Sequence, residues 1–83
     1  MTINSRTVKR VLSEGEVQYT RIYTSQAVRQ EDYRYFNIRD EFVTYVFSNK
    51  DLLSINGSEY NSASISYDGD CWRVTLETTQ AIP

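Results

Sequence analysis

Asp68, Gly69, Asp70 and Cys71 stand in a row and form the densest group of chemically capable side chains in the sequence. Two carboxylates around a glycine suggest a divalent-ion loop. Such a loop needs several more oxygen ligands and a distal Glu, and none falls at the right spacing. Asp-Gly is instead a preferred centre for a two-residue hairpin turn, where positive φ is required. Cys71 is the only cysteine, so the chain forms no internal disulfide and no thiolate metal cluster of its own. Acids on either side raise a thiol pKa, which argues against a nucleophile. The expectation for Cys71 is a half-exposed, inert thiol, with an intermolecular disulfide or a covered interface position as the alternatives.

Histidine is absent. That removes the commonest general base, the Ser-His and Cys-His nucleophile systems, and most zinc and copper sites. The only glycines are Gly15, Gly57 and Gly69, so there is no glycine-rich phosphate loop. Catalysis by carboxylates alone is the remaining enzymatic option, and a chain this small has little room for the groove it uses. The sequence therefore predicts a protein that is not an enzyme, with no cofactor and no metal.

The most suggestive stretch runs from Arg29 to Arg39, where Arg29, Arg34 and Arg39 interleave with Tyr33, Tyr35 and Phe36. Tyr and Arg are the side chains enriched at the energetic centres of protein interfaces. Aromatic residues with arginines on a strand also stack and neutralise single-stranded nucleic acid. Glu31, Asp32 and Asp40, embedded in the same stretch, count against a phosphate-tracking surface. Tyr33, Arg34, Tyr35 and Arg39 are accordingly the candidate partner-binding residues. The competing structural explanation is that alternate aromatics are core and alternate arginines solvated.

These residues need elements to position them. Ser5 to Gly15 has the punctuation of a short helix, with Ser5 to cap it and Gly15 to stop it, but Val8 and Leu12 also fit a strand. Glu16 to Thr24 is rich in Val, Ile, Tyr and Thr and reads as a strand. Ser25 is placed to cap a turn of helix over Gln26–Arg29. Tyr33 to Ile38 reads as a strand, and Glu41 to Ser48 as a central one, because bulky residues fall on both parities. That central segment is the first choice for the core, with Phe42 and Val46 on one parity and Val43, Tyr45 and Phe47 on the other. Asn56-Gly57 marks a turn that, as a two-residue loop, would pair Leu53 with Tyr60; either a bulge near Asn61 or a looser turn would then keep Tyr60 and Ala63 on compatible faces, and the register is left open. Around Asp68-Gly69 a hairpin separates Ala63, Ile65, Tyr67, Trp72, Val74 and Leu76 from Ser62, Ser64, Ser66, Cys71, Arg73, Thr75 and Glu77. Its implied register sets Tyr67 opposite Asp70 and Ile65 opposite Trp72. The serine row is flat and uncharged, and it fits a surface for pairing with another chain and a plain solvent-facing sheet equally well.

Eighty-three residues form one domain, 1–83, with 79–83 expected to fray. The fold class expected is mainly β: an antiparallel meander or half-barrel of about five strands. One short N-terminal helix is possible within it, and α+β is the alternative. The net charge is −2, but residues 1–40 carry seven basic and five acidic residues against two and six in 41–83. Such a split suits self-complementary association. A lone cysteine, no leader and no long apolar run predict a cytoplasmic protein without membrane contact. The function expected is a non-enzymatic protein-binding module: a small inhibitor, adaptor or accessory subunit of phage or mobile-element type, acting as a homodimer with a protein partner. A nucleic-acid or small-nucleotide binding domain built on the aromatic and arginine strand is the alternative.

Overall fold

The computed structural model describes residues 3–13, 15–48, 54–55 and 58–81. Strands β1 (Asn4–Ser13) and β2 (Glu16–Ala27) are followed by helix α1 (Tyr35–Ser48), the short strands β3 (Ser54–Ile55) and β4 (Ser58–Glu59), and then β5 (Ser62–Tyr67) and β6 (Cys71–Ala81). The fold is mainly β, as expected. Four strands form one open antiparallel sheet in the order β1-β2-β6-β5, and β3 pairs with β4 beside it. The last strand inserts into the middle of the sheet, so β1 and β5 are its edges.

The Ser5–Gly15 segment is strand rather than helix. Asn4 to Ser13 pairs along β2, from Asn4 opposite Thr24 to Ser13 opposite Glu16. Gly15 turns the chain between them at φ 88°, a conformation that costs glycine little. β2 continues past Thr24 to Ala27, so Ser25 caps no helix. It is buried at an irregularity in the β2–β6 pairing, and its hydroxyl accepts the Trp72 N–H at 2.9 Å.

The largest departure from expectation is α1. Tyr33–Ile38 and Glu41–Ser48 are not two strands; from Tyr35 onward they make one helix. Neither glycine nor proline interrupts Tyr35–Ser48, and Ile38, Phe42 and Val46 recur at four-residue spacing on one face. That face is fully buried. Asp32 organises the entry, its carboxylate accepting the Arg34 N–H at 2.8 Å and its carbonyl the Tyr35 N–H at 3.0 Å.

The core lies between α1 and one sheet face. Tyr23 of β2 and Trp72, Val74 and Leu76 of β6 join Ile38, Phe42 and Val46 there, with Val28 and Ile55 closing the cluster. Of the segment expected to be covered on both sides, Phe42 and Val46 are core and Val43 is partly buried, but Tyr45 and Phe47 are exposed, because a helix on one sheet face buries one side only. Opposite this face, residues such as Thr20, Ile22, Arg73 and Thr75 form a second sheet surface. No described element packs across it.

The C-terminal hairpin keeps the predicted division of faces but slips by two residues. Tyr67 faces Trp72, and Ile65 faces Val74. A slip of two leaves each side chain on its original side. The reason lies in the turn: Asp68 is its first residue, and its carboxylate accepts the N–H groups of Asp70 (3.2 Å) and Cys71 (3.0 Å). Gly69 takes the positive φ, 92°. β3 and β4 pair in the register that a two-residue connection gives, with Ile55 opposite Ser58 and Ser54 opposite Glu59; the expected turn at Asn56-Gly57 itself lies outside the described residues. Leu53 lies outside the described residues. Asn61 donates its N–H to Glu77 (2.8 Å), the residue already paired with Ser62, so two residues oppose one in a bulge. β6 runs on to Ala81, opposite Glu16, where the sequence predicts fraying from Thr79.

Candidate functional site

The four residues singled out for partner binding do not share one strand face. Tyr33 lies in the turn before α1 and is 87% exposed. Arg34 beside it is exposed, but its guanidinium is held by Asp32 at 2.9 Å, which pulls the Asp32 carboxyl down to about 2. Tyr35 turns inward. Its ring stands 4.7 Å from Trp72 and 4.9 Å edge-on to Tyr67, and its carbonyl accepts the Trp72 indole N–H at 3.0 Å. Arg39 stacks on the Trp72 ring at 5.6 Å. Tyr35 therefore joins helix to sheet, Tyr33 and Arg34 are surface, and Arg39 lies between. A continuous aromatic and arginine strand for stacking bases is not formed.

Arg39 leads to a feature that the linear reading misses. With Val43 and Phe47 of α1 and Ala63, Ser64 and Ile65 of β5 it lines a groove of about 180 Å³. Phe36 continues the same flank of the helix, since positions 36, 43 and 47 fall on one side at 100° per residue. Phe36 is 61% exposed, Phe47 37% and Ile65 42%. Tyr60 closes the far end, its ring 6.4 Å from Phe47.

Beside this groove runs the open edge of β5. The Asp68 N–H donates to the Cys71 carbonyl at 3.3 Å, which fixes the alternation along the hairpin. Ser66, Ser64 and Ser62 exchange hydrogen bonds with β6, while Ala63, Ile65 and Tyr67 turn their N–H and C=O groups outward. Those outward groups have no backbone partner among the described residues. β5 carries no charge and no proline. The other edge, β1, carries Arg6, Lys9 and Arg10, the kind of residue that discourages edge pairing. The two edges thus differ in chemistry: one is guarded and one is open.

The Asp68–Cys71 turn performs structural work. Backbone N–H groups of Cys71 and Asp70 hold the Asp68 carboxyl below its ordinary range, and Arg73 pairs with it at 2.6 Å. Burial, and then the Asp68 carboxylate, push the Cys71 thiol up. No group of three or more His, Cys, Asp or Glu residues able to hold a metal ion occurs among the described residues. No described helix is long and apolar enough to cross a membrane.

Among the described residues, fold and site define a small open-sheet protein with one helix on one face and an uncharged strand edge beside a largely apolar groove. No family model matches the chain, and no curated protein or solved structure matches it either.

Proposed function

We propose that this chain is a non-enzymatic protein-binding module, working in the cytoplasm, that takes up a polypeptide strand along β5. The open β5 edge beside the α1 groove carries this proposal. Strand addition to a sheet edge derives affinity from main-chain hydrogen bonds and selectivity from pockets that take alternate side chains. Both parts are present here: outward backbone groups at Ala63, Ile65 and Tyr67, and a groove bordered by Val43, Phe47 and Ile65. Arg39 at the groove adds a cation to a lining that is apolar apart from Ser64.

The surface differs from the one expected on residues 33–39. Tyr33 and Arg34 lie before the helix, and among the four candidates only Arg39 borders the groove. Inhibitors, adaptors and accessory subunits all fit a domain that presents one adhesive edge on a stable scaffold. The test is native mass spectrometry of untagged protein purified gently from its host, beside an Ile65→Lys variant. A complex with a further polypeptide chain, lost in the variant, is the expected result. Bare single chains throughout, or a complex that the variant leaves intact, would overturn the proposal.

A further inference from the structure

We infer that the strand taken up by β5 is β5 of a second copy, related by a two-fold axis through Ile65. This rests on the strand-binding function proposed above and names its partner.

Three observations point to a second copy. First, the edge is self-complementary in one register. With Ile65 opposite Ile65 of the second copy, Ala63 falls opposite Tyr67 and Tyr67 opposite Ala63. Every outward N–H and C=O of those three residues then meets a partner. Small faces large on the helix side. Tyr67 is already fixed for this, its hydroxyl donating to the Val28 carbonyl at 2.6 Å.

Second, β5 has the side-chain pattern that its own groove requires. Ala63, Ile65 and Tyr67 point to the helix side and Ser62, Ser64 and Ser66 to the other. A second β5 therefore brings another exposed Ile65 against the first, between the two Phe47-bearing helix flanks. It also brings serines opposite serines on the far surface, with no charge buried. Third, the alternative self-pairing through β1 is opposed by its charge, since Arg6, Lys9 and Arg10, with no acid among the β1 residues, would be brought alongside the same three cations of the second copy. The resulting dimer has one continuous sheet in the order β1-β2-β6-β5-β5-β6-β2-β1, closed by isologous contact rather than growing into a fibre.

Sedimentation equilibrium of the full chain tests this, with Ile65→Lys and Ala63→Pro as variants. Ile65 is 42% exposed and the Ala63 N–H points outward, so neither change removes a β5–β6 hydrogen bond; circular dichroism checks the fold. The wild type is expected to dimerise, and each variant to weaken the dimer by at least about tenfold. In a Cys71→Ser background, Ser64→Cys chains should crosslink to Ser66→Cys chains in preference to themselves, because that register alone sets 64 against 66. A wild-type monomer up to about 1 mM overturns the self-pairing. It would leave strand binding to a different protein standing, which the host-purified mass settles separately. A dimer indifferent to both variants, or crosslinks without that preference, overturns the assigned edge and register.

Discussion

The Trp72 indole N–H donates to the Tyr35 carbonyl at 3.0 Å while the two rings lie 4.7 Å apart. One side chain at the start of β6 thereby fixes the first turn of α1, and with it the position of Arg39 over the same indole. Trp72→Phe keeps an aromatic ring but removes the donor. The loss expected is about 1–3 kcal/mol, read from urea unfolding followed by far-UV circular dichroism, since the only tryptophan is gone. An unchanged midpoint would mean that the hydrogen bond contributes nothing net.

The core prediction separates two aromatics three residues apart on the helix. Phe42 is completely buried and Tyr45 is 53% exposed. Phe42→Ala should cost about 3–5 kcal/mol, a large share of the stability of a domain this size. Tyr45→Ala should change it by no more than about 0.5 kcal/mol. Were Glu41–Ser48 a strand, 42 and 45 would fall on opposite faces of a sheet covered on both sides, and both substitutions would be severe.

Gly69→Ala isolates backbone strain. A methyl group there meets nothing within 4 Å, yet φ is 92°. The expected cost is about 1–2 kcal/mol by thermal denaturation, arising from the left-handed conformation alone. A neutral result would show that the turn relaxes to another conformation.

Acid should loosen the molecule through its two turn carboxylates. Asp32 is lowered from 3.8 to about 2 by Arg34, and Asp68 is lowered by the N–H groups of Cys71 and Asp70. A depressed folded pKa contributes stability that is present above the unfolded value of 3.8 and lost as pH falls through the folded one. The unfolding midpoint should therefore be insensitive to Asp32 and Asp68 above pH ~5 and fall between ~4 and ~2. Asp68→Asn should make that fall shallower. A fall of equal steepness in the variant would remove Asp68 from the account.

Asp68→Asn also tests the neighbouring thiol. Burial and the Asp68 carboxylate both raise the Cys71 pKa, so alkylation by iodoacetamide at neutral pH should be slower than for free cysteine. It should quicken in Asp68→Asn. A fast wild-type reaction would contradict the placement of Cys71 beside that carboxylate.

Some of this was legible in the residues. Hairpins are local, and their alternation is a property of the chain itself. The apolar set Ala63, Ile65, Tyr67, Trp72, Val74 and Leu76 and the serine row therefore appear on opposite faces whether or not the exact turn is known. The bulge at Asn61 was one of two local devices, beside a looser turn, that could reconcile the faces of β4 and β5, and the structure decides between them.

What the residues left open is what depends on distant partners. Tyr35–Ser48 has bulky side chains on both parities, which suits a doubly covered strand as well as a helix. Only the sheet presenting Tyr23, Val74 and Leu76 favours the four-residue spacing of Ile38, Phe42 and Val46 over strand alternation. The same dependence governs the site. Tyr35 and Arg39 were visible as an aromatic and a cation, but their attachment to Trp72 crosses 37 and 33 residues of chain. The open edge is more remote still. β5 is an edge only because β6, the last strand made, pairs with β2 on its other side, and no local pattern in Ser62–Tyr67 encodes that choice.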